Sequence, residues 1–372
     1  MKTNIYLIIL AAVLVTVSPS CEKGYLDKYP LSGPSDETFF ANQDELLLAV
    51  NGLYKYASYS PLDAMPLNLS IDDGTDIGWD RNNSALQSLG KGNHDSNNTY
   101  TSDTWREAYK VIAKCNFILD NIEKVKDKAT PEIFNRSKAE ARFLRAYTYQ
   151  YLTDYFGDVP LVTTMLKLED AQIAKSPKAT IIEYVMKELT ESAPDLSLTY
   201  TGADVGRASR GAALAIKARM ALNNGMWADA AEAAKAVMDL NIYSLHNDFG
   251  ALFRYEGENS REIIWAFQYL RASKTKTHST VNNFLSRNGQ GFSNKVPSQS
   301  LVDAYLCTDG FNIDESPDFD PKDPYYGLYQ FKKGFNSNIV EYIGEFDLVI
   351  NNGVYHAYQK IKLLKKLFDF KK

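Results

Sequence analysis

Apolar residues recur every three or four positions through most of the first two-thirds of the chain, the spacing of one helix face. "SDETFFANQDELLLAVNGLYKYA" predicts a first helix, with Asp44 as its cap and Leu47, Val50, Leu53 and Tyr54 at helical spacing. "DTWREAYKVIAKCNFILDNIEKV" has the cleanest period. Trp105, Ala108, Ile112, Cys115, Leu119 and Ile122 recur at 3, 4, 3, 4, 3, and Asp103 stands where a cap belongs. On that stripe Cys115 reads as a small buried hydrophobe. In "SKAEARFLRAYTYQYLTDYFGDVPLV", Ala141, Leu144, Thr148, Tyr151 and Tyr155 form one face, and Phe143, Tyr147 and Leu152 widen it. A helix with such broad apolar coverage packs on more than one side. Gly157 suits a left-handed C-cap, and Pro160 forbids continuation. A further helix is predicted near Thr180–Leu189, with Ile182, Val185 and Leu189 aligned.

"SRGAALAIKARMALNNGMWADAAEAAKAVMDL" predicts two helices broken at Gly225. The first carries Ala212, Ala213, Ile216 and Met220, and the second Ala230, Ala231, Ala234 and Val237. Small facing residues let such helices approach closely, and the pattern resembles a tetratricopeptide repeat. One repeat cannot bury its own faces, so the preceding helices are expected to supply further, degenerate repeats.

Elsewhere the pattern breaks. Residues 58–102 are rich in Asn, Asp, Gly and Ser around "DDGTDIGWDRNNS", which predicts a long ordered loop or several short ones. Long loops on a rigid scaffold often carry function. Beyond Tyr243 the chain is loop-rich, with "EIIWAFQY" read as a short strand and one short helix within "VPSQSLVDAYLCTDGFNI". From Phe346 the chain turns basic and amphipathic, ending "YQKIKLLKKLFDFKK".

The N-terminus has a different pattern. Lys2 precedes an apolar run, Ile5–Val17, followed by small residues Ser18, Pro19 and Ser20 and then Cys21. This is the layout of an export signal, too short to span a bilayer comfortably. Two readings are open: an ordinary secretory signal beside a chance cysteine, and a lipoprotein signal whose cysteine is lipidated. "VSPSC" resembles a loose lipobox. Each buried lipid methylene contributes about 0.8 kcal/mol of anchoring.

The 372 residues suffice for one large or two ordinary domains, and a 45% hydrophobic content supports a real core. The net charge of -5 lacks the basic surface of a nucleic-acid binder. Three scattered cysteines, Cys21, Cys115 and Cys307, form no disulfide framework or zinc knuckle. The 24 tyrosines suit helix packing and wet recognition surfaces alike.

No residue pattern in the chain signals reaction chemistry. The four histidines, His94, His246, His278 and His356, make no HExxH pair, and neither a GxSxG elbow nor a P-loop occurs. "GNHD" at Gly92–Asp95 resembles one block of metallophosphoesterases but lacks the partner blocks. Asp72–Asp76 and Asp318–Asp323 hold carboxylates for calcium without the EF-hand order, so solvated turns are the expectation. No catalytic residue, metal site or cofactor is expected beyond the lipid on Cys21.

Several blocks together are similar to one family over about Cys21–Gly344. "CEKGYLDKYPLSGPSDETFF", "ELLLAVNGLY", "AEARFLRAYTYQYLTDYFGDVPLV", "GRASRGAALAIKARMAL" with "GMWADAAEAAKAVM", "EIIWAF" and "LVDAYLCTDG" occur in the order found in SusD/RagB-type outer-membrane lipoproteins of the Bacteroidetes. The resemblance implies a mainly α fold, with tetratricopeptide-like hairpins packed against a loop-rich second half. It divides the chain into a lipoprotein signal (1–20), a helical region (21–240), a partial C-terminal region (241–345) and an atypical basic tail (346–372). It implies a non-catalytic protein of the cell surface, anchored to the outer membrane by lipid. Such a protein captures oligosaccharides, or in some members peptides, and passes them to a SusC-like TonB-dependent transporter. The loop before the Trp105 helix matches the family's ligand loops. Trp79, Arg81 and Asn82 are therefore the expected binding residues, with Asp73 and Asp80 secondary and Tyr269 and Phe292 weaker. Trp79 reads equally as a cover for the helical core; Trp105 and Trp227 read as structural. Family members usually run on through a late helical block, and the lysine-rich tail has no counterpart among them. A truncated or frameshifted C-terminus and a natural short variant both fit. Two other functions compete with glycan capture: a repeat scaffold binding peptides, and a secreted glycosidase or phosphoesterase.

Overall fold

The computed structural model describes residues 39–58, 71–258, 260–268 and 293–304, with the backbone of short strands at 341–342 and 345–346. Helices dominate the described residues. They are α1 (Gln43–Ala57), α2 (Ser84–Gly90), α3 (Thr99–Asn121), α4 (Pro131–Phe156), α5 (Lys178–Ser192), α6 (Arg210–Asn223), α7 (Trp227–Asp239), α8 (Phe249–Leu252) and α9 (Gln299–Asp303). Strand β1 (Gly78–Asp80) pairs antiparallel with β2 (Lys295–Pro297), and β3 (Glu341–Tyr342) with β4 (Glu345–Phe346).

The core is built around α4. Helices α1, α3 and α5 pack directly on it, α5 leads on to α6, and α6 pairs with α7. Phe143, Leu144, Tyr149 and Leu152 of α4 are fully buried, as are Val111, Ile112 and Cys115 of α3. The broad apolar coverage of α4 thus corresponds to neighbours on several sides. Its start lies earlier than the "SKAEARF" pattern suggests, because Thr130 Oγ1 accepts from Ile133 N–H and Pro131 occupies the first turn. It ends at Gly157, whose φ is 70°.

Two helix starts differ from the sequence reading. Helix α1 is capped by Asn42, whose Oδ1 accepts from Glu45 N–H at 3.0 Å, and Asp44 lies inside the first turn. Helix α3 is capped by Asn98, which accepts from Thr101 N–H at 3.1 Å. Asp103 is already helical and pairs with Arg106 at 2.7 Å. Each stretch offers several cap-competent side chains, and the one outside the helical backbone takes the cap. The buried α1 face is Leu46, Val50, Leu53 and Ala57, with Leu47 half-buried beside it.

Buried polar groups tie the layers together. Arg145 of α4 donates to Asn116 of α3 at 2.6 Å, to Glu188 of α5 at 2.8 Å and to the Thr163 carbonyl at 2.9 Å. Arg142 donates to the same Glu188 at 2.7 Å. Burial pushes the Glu188 carboxyl up, but hydrogen bonds from both arginines outweigh it and hold Glu188 below its usual range. Asn116 donates to the Val162 and Thr164 carbonyls, and the Tyr149 hydroxyl accepts from Val162 N–H at 2.6 Å. Val162 therefore has both its backbone N–H and its carbonyl satisfied inside the core rather than by water. A second knot joins α1, α4 and the segment before α6. Glu140, wholly buried, accepts from Tyr54 at 2.6 Å and Arg207 at 3.0 Å, and Arg207 also reaches Asn51.

The predicted hairpin is α6 with α7, turning at Gly225 with φ 73°. Ala212, Ala213, Ile216 and Met220 are buried as expected. On α7 the inward face is Ala230, Ala233 and Val237, while Ala231 and Ala234 are exposed. Trp227 is also 69% exposed, so it does not fill the hairpin core. Residues 262–268 form no strand, which corrects that reading. Trp265 packs edge-on against Phe143 and Tyr147 of α4, and its indole N–H donates to the Gly206 carbonyl at 2.9 Å. β-branched and aromatic content signalled a strand there, but packing on a helix uses the same residues.

Candidate functional site

The predicted ligand loop is organised by the β1–β2 ribbon. Gly78, Trp79 and Asp80 face Pro297, Val296 and Lys295 respectively. Arg81 N–H donates to the Asn294 carbonyl at 2.8 Å, so pairing continues one residue further. Side chains alternate along a strand. Gly78 and Asp80 are buried, Trp79 is half-buried and Arg81 is exposed, so Trp79 and Arg81 share the outer side.

The inner side holds a buried ion cluster. Lys295 Nζ lies 2.6 Å from Asp80 and also donates to Asp73, with all three side chains nearly excluded from solvent. Burial pushes the Asp73 carboxyl up, with the Lys295 hydrogen bond and charge acting against it. Asp80 further accepts from Asn82 and Asn83 N–H at 2.8 and 2.9 Å, which turns the chain into α2. Asn83 Oδ1 then caps α2 through the N–H groups of Ala85 and Leu86. Gly78 matters here because a Cβ at that position would lie 2.8 Å from the Asp72 carbonyl oxygen.

On the outer side Lys91, the C-cap of α2, holds its ammonium 5.0 Å from the centre of the Trp79 ring. Arg81 and Asn82 are exposed, and Asn82 Nδ2 donates to Asn294 Oδ1 at 2.6 Å. The structure thus leaves Trp79, Arg81 and Asn82 at least partly open to solvent and turns Asp73 and Asp80 inward, toward Lys295. Sequence reasoning missed Lys91, Asn294 and Lys295. The last two come from 200 residues further on and carry no local signal. Cys21, Tyr269, Phe292 and Asp318–Asp323 lie outside the described residues.

Other candidates have structural surroundings. His94 and Asp95 are exposed in the turn after α2, where Asp95 accepts from Asn97 N–H at 2.9 Å. Asp73 of the acidic 72–76 run already faces a cation, Lys295. Among the described residues no three His, Cys, Asp or Glu side chains group closely enough to hold a metal. Nor is any described helix long and apolar enough to cross a membrane. Trp105 packs against the rings of Tyr109 and Phe156, which agrees with its structural reading.

Known proteins share this architecture. A SusD-like protein P25 of Formosa agariphila is 28% identical over 276 residues, 71% of this chain and 52% of that protein. The starch-binding protein SusD of Bacteroides thetaiotaomicron is 35% identical over 159 residues, 41% of this chain and 27% of that protein. A solved SusD-like carbohydrate binding protein from Bacteroides fragilis superposes with a TM-score of 0.68 at 28% identity, covering 76% of this chain and 57% of that one. The chain spans about half the length of the longer-matching curated relatives. Residues 316–363 match the FemAB family instead, a run that begins before the basic tail and includes most of it. Residues 24–222 match the SusD-like family described as starch-binding and associating with the outer membrane. That match takes in α1, β1 and α2–α6, the elements that pack around α4 and carry Trp79, and covers more than half of the sequence: the chain belongs to the SusD-like family.

Proposed function

We propose that the protein is a non-catalytic, surface-exposed lipoprotein of the outer membrane that captures oligosaccharides and delivers them to a partner SusC-like TonB-dependent transporter. The observation that carries this reading is Trp79, held half-open on a ribbon that the buried Lys295 cluster anchors. An indole face suits the apolar C–H face of a sugar ring, and the exposed side chains of Arg81 and Asn82 offer donors to its hydroxyls. Family membership supports the same reading, and so does the description of the matching family. Lipidation of Cys21 supplies the membrane attachment in this reading.

Titration of the full chain with a panel of neutral and acidic oligosaccharides tests this. Micromolar binding that Trp79→Ala weakens about tenfold or more supports it, and unchanged affinity in that variant rejects the site. Cleavage products would overturn the non-catalytic part. Co-purification of a TonB-dependent barrel from the native membrane tests delivery.

One observation favours a second reading, a repeat scaffold that binds protein. Trp227, Met238 and Leu222 on the α6–α7 hairpin are 69%, 74% and 55% exposed. Loss of a bound protein on Trp227→Ala, with glycan affinity unchanged, would establish that surface separately.

A further inference from the structure

Trp79 does not present a bare ring. The ammonium of Lys91 stands 5.0 Å from its centre. Arg81 extends from the same side of the strand, about 7 Å along it. Both cations are exposed, and neither has a carboxylate within ion-pair range among the described residues. The contrast with the inner side of the same ribbon is direct. There one lysine is shared by two carboxylates, whereas on the outer side neither Lys91 nor Arg81 is paired with a carboxylate among the described residues.

We infer that the oligosaccharide taken at Trp79 is anionic, bearing carboxylate or sulfate groups on its sugar rings. This rests on the glycan-binding reading above and goes beyond it by naming the chemical class. A neutral sugar stacking on the ring face that Lys91 covers displaces the ammonium and leaves it uncompensated. An acidic sugar gives that ammonium a partner as it moves aside. Arg81 supplies a planar fork that matches a carboxylate or sulfate with two parallel hydrogen bonds. Such charge-assisted bonds are about twice as strong as those to hydroxyls, so the pair selects for charge as well as orienting the chain. Asn82 is tied to Asn294 through its amide nitrogen, which leaves Arg81 and Lys91 as the charged determinants.

Calorimetric titration of the full chain with matched probes tests this. Oligogalacturonate is compared with its methyl ester, and carrageenan oligosaccharide with its desulfated form, so carboxylate and sulfate are read separately. The expected result is binding of at least one acidic probe, at least tenfold weaker binding of its neutral counterpart, and weakening by added salt. Arg81→Gln and Lys91→Gln are each expected to cost about tenfold for the acidic probe, as charged hydrogen bonds do. Both residues are exposed, so an unchanged circular dichroism spectrum shows that the fold is intact. Equal affinity for each acidic probe and its neutral counterpart, or unchanged affinity in both charge variants, overturns the inference and leaves glycan binding standing. Absence of binding to both acidic probes also overturns it. If the neutral panel fails as well, the glycan-binding reading falls with it.

Discussion

The ammonium of Lys295 stands 2.6 Å from a carboxylate oxygen of Asp80, the residue directly opposite it on the β1–β2 ribbon. The same ammonium also takes the carboxylate of Asp73. One buried lysine thereby fastens a late segment of the chain to the loop that carries Trp79. Lys295→Met leaves two carboxylates buried without their cation, which costs about 3 kcal/mol at neutral pH. Asp73 is raised above its usual value of 3.8, so its contribution to stability is fully present below 3.8 and is lost as pH rises through the folded value. Removing Lys295 takes away what opposes that rise. The deficit of the variant therefore shrinks as pH falls and the raised Asp73 carboxyl takes up its proton. Urea unfolding at two pH values checks this, and an equal deficit at both sinks it.

Glu188 behaves in the opposite sense. Its carboxyl lies below the usual 4.5 because the hydrogen bonds from Arg142 and Arg145 overcome the effect of burial. Its stabilising contribution is present above 4.5 and is lost as pH falls through the folded value. Glu188→Gln is expected to cost about 3 kcal/mol at neutral pH, because Arg145 is left buried without its anion. The difference between wild type and variant closes in acid, once the native glutamate is itself protonated. A difference in unfolding free energy that stays constant with pH contradicts this assignment.

Gly78 leaves no room for a side chain against the Asp72 carbonyl. Gly78→Ala forces the 71–74 turn away from the strand, at about 1–3 kcal/mol for overpacking. The helices around α4 do not depend on that contact. Thermal melts should therefore show a modest shift, while oligosaccharide affinity falls more than stability does. Intact affinity in Gly78→Ala would detach the turn from the binding surface.

Trp265 closes one side of α4 with its ring against Phe143, Tyr147 and Phe267. Trp265→Ala is expected to destabilise the protein by about 3 kcal/mol and to leave the Gly206 carbonyl without its indole donor. A Trp265→Phe variant refills most of the volume but not the hydrogen bond, so it should recover part of the loss. Denaturant midpoints of the three proteins decide whether packing or the hydrogen bond dominates.

On the proposed lipidation, whose acyl chains would supply the anchoring free energy, Cys21→Ala is expected to move the protein from the membrane fraction to the soluble fraction of the envelope. Metabolic labelling with a lipid precursor should mark the wild type and not the variant. Retention of the variant in the membrane would disprove anchoring through this cysteine.

The legible parts of this protein are those whose signals are local. The stripe through Ala108, Ile112, Cys115 and Ile122 is buried as its period predicts, and Gly157 and Gly225 end helices where expected. Caps were harder to read. Asn42 competes with Asp44, and Asn98 with Asp103, and only backbone geometry separates a cap from a residue in the first turn. On α7 both Ala233 and Ala234 fit a helical face, and the contact with α6 selects Ala233.

The candidate site divides in the same way. Composition and the resemblance singled out Trp79, Arg81, Asn82, Asp73 and Asp80 from the loop. Which of them face outward depends on a strand of three residues whose partner begins at Lys295, too short for its own alternation to be read. The sequence by itself determined the longer helices, the packing of α4 on more than one side and the family, because helical periodicity and block order are encoded within short windows; the short α2 and α8 lay in stretches read as loop. Only the tertiary structure decided that Asp73 and Asp80 turn inward to Lys295 and that Lys91 covers Trp79. Those relationships join distant segments, and a buried charge finds its partner in space, not along the chain.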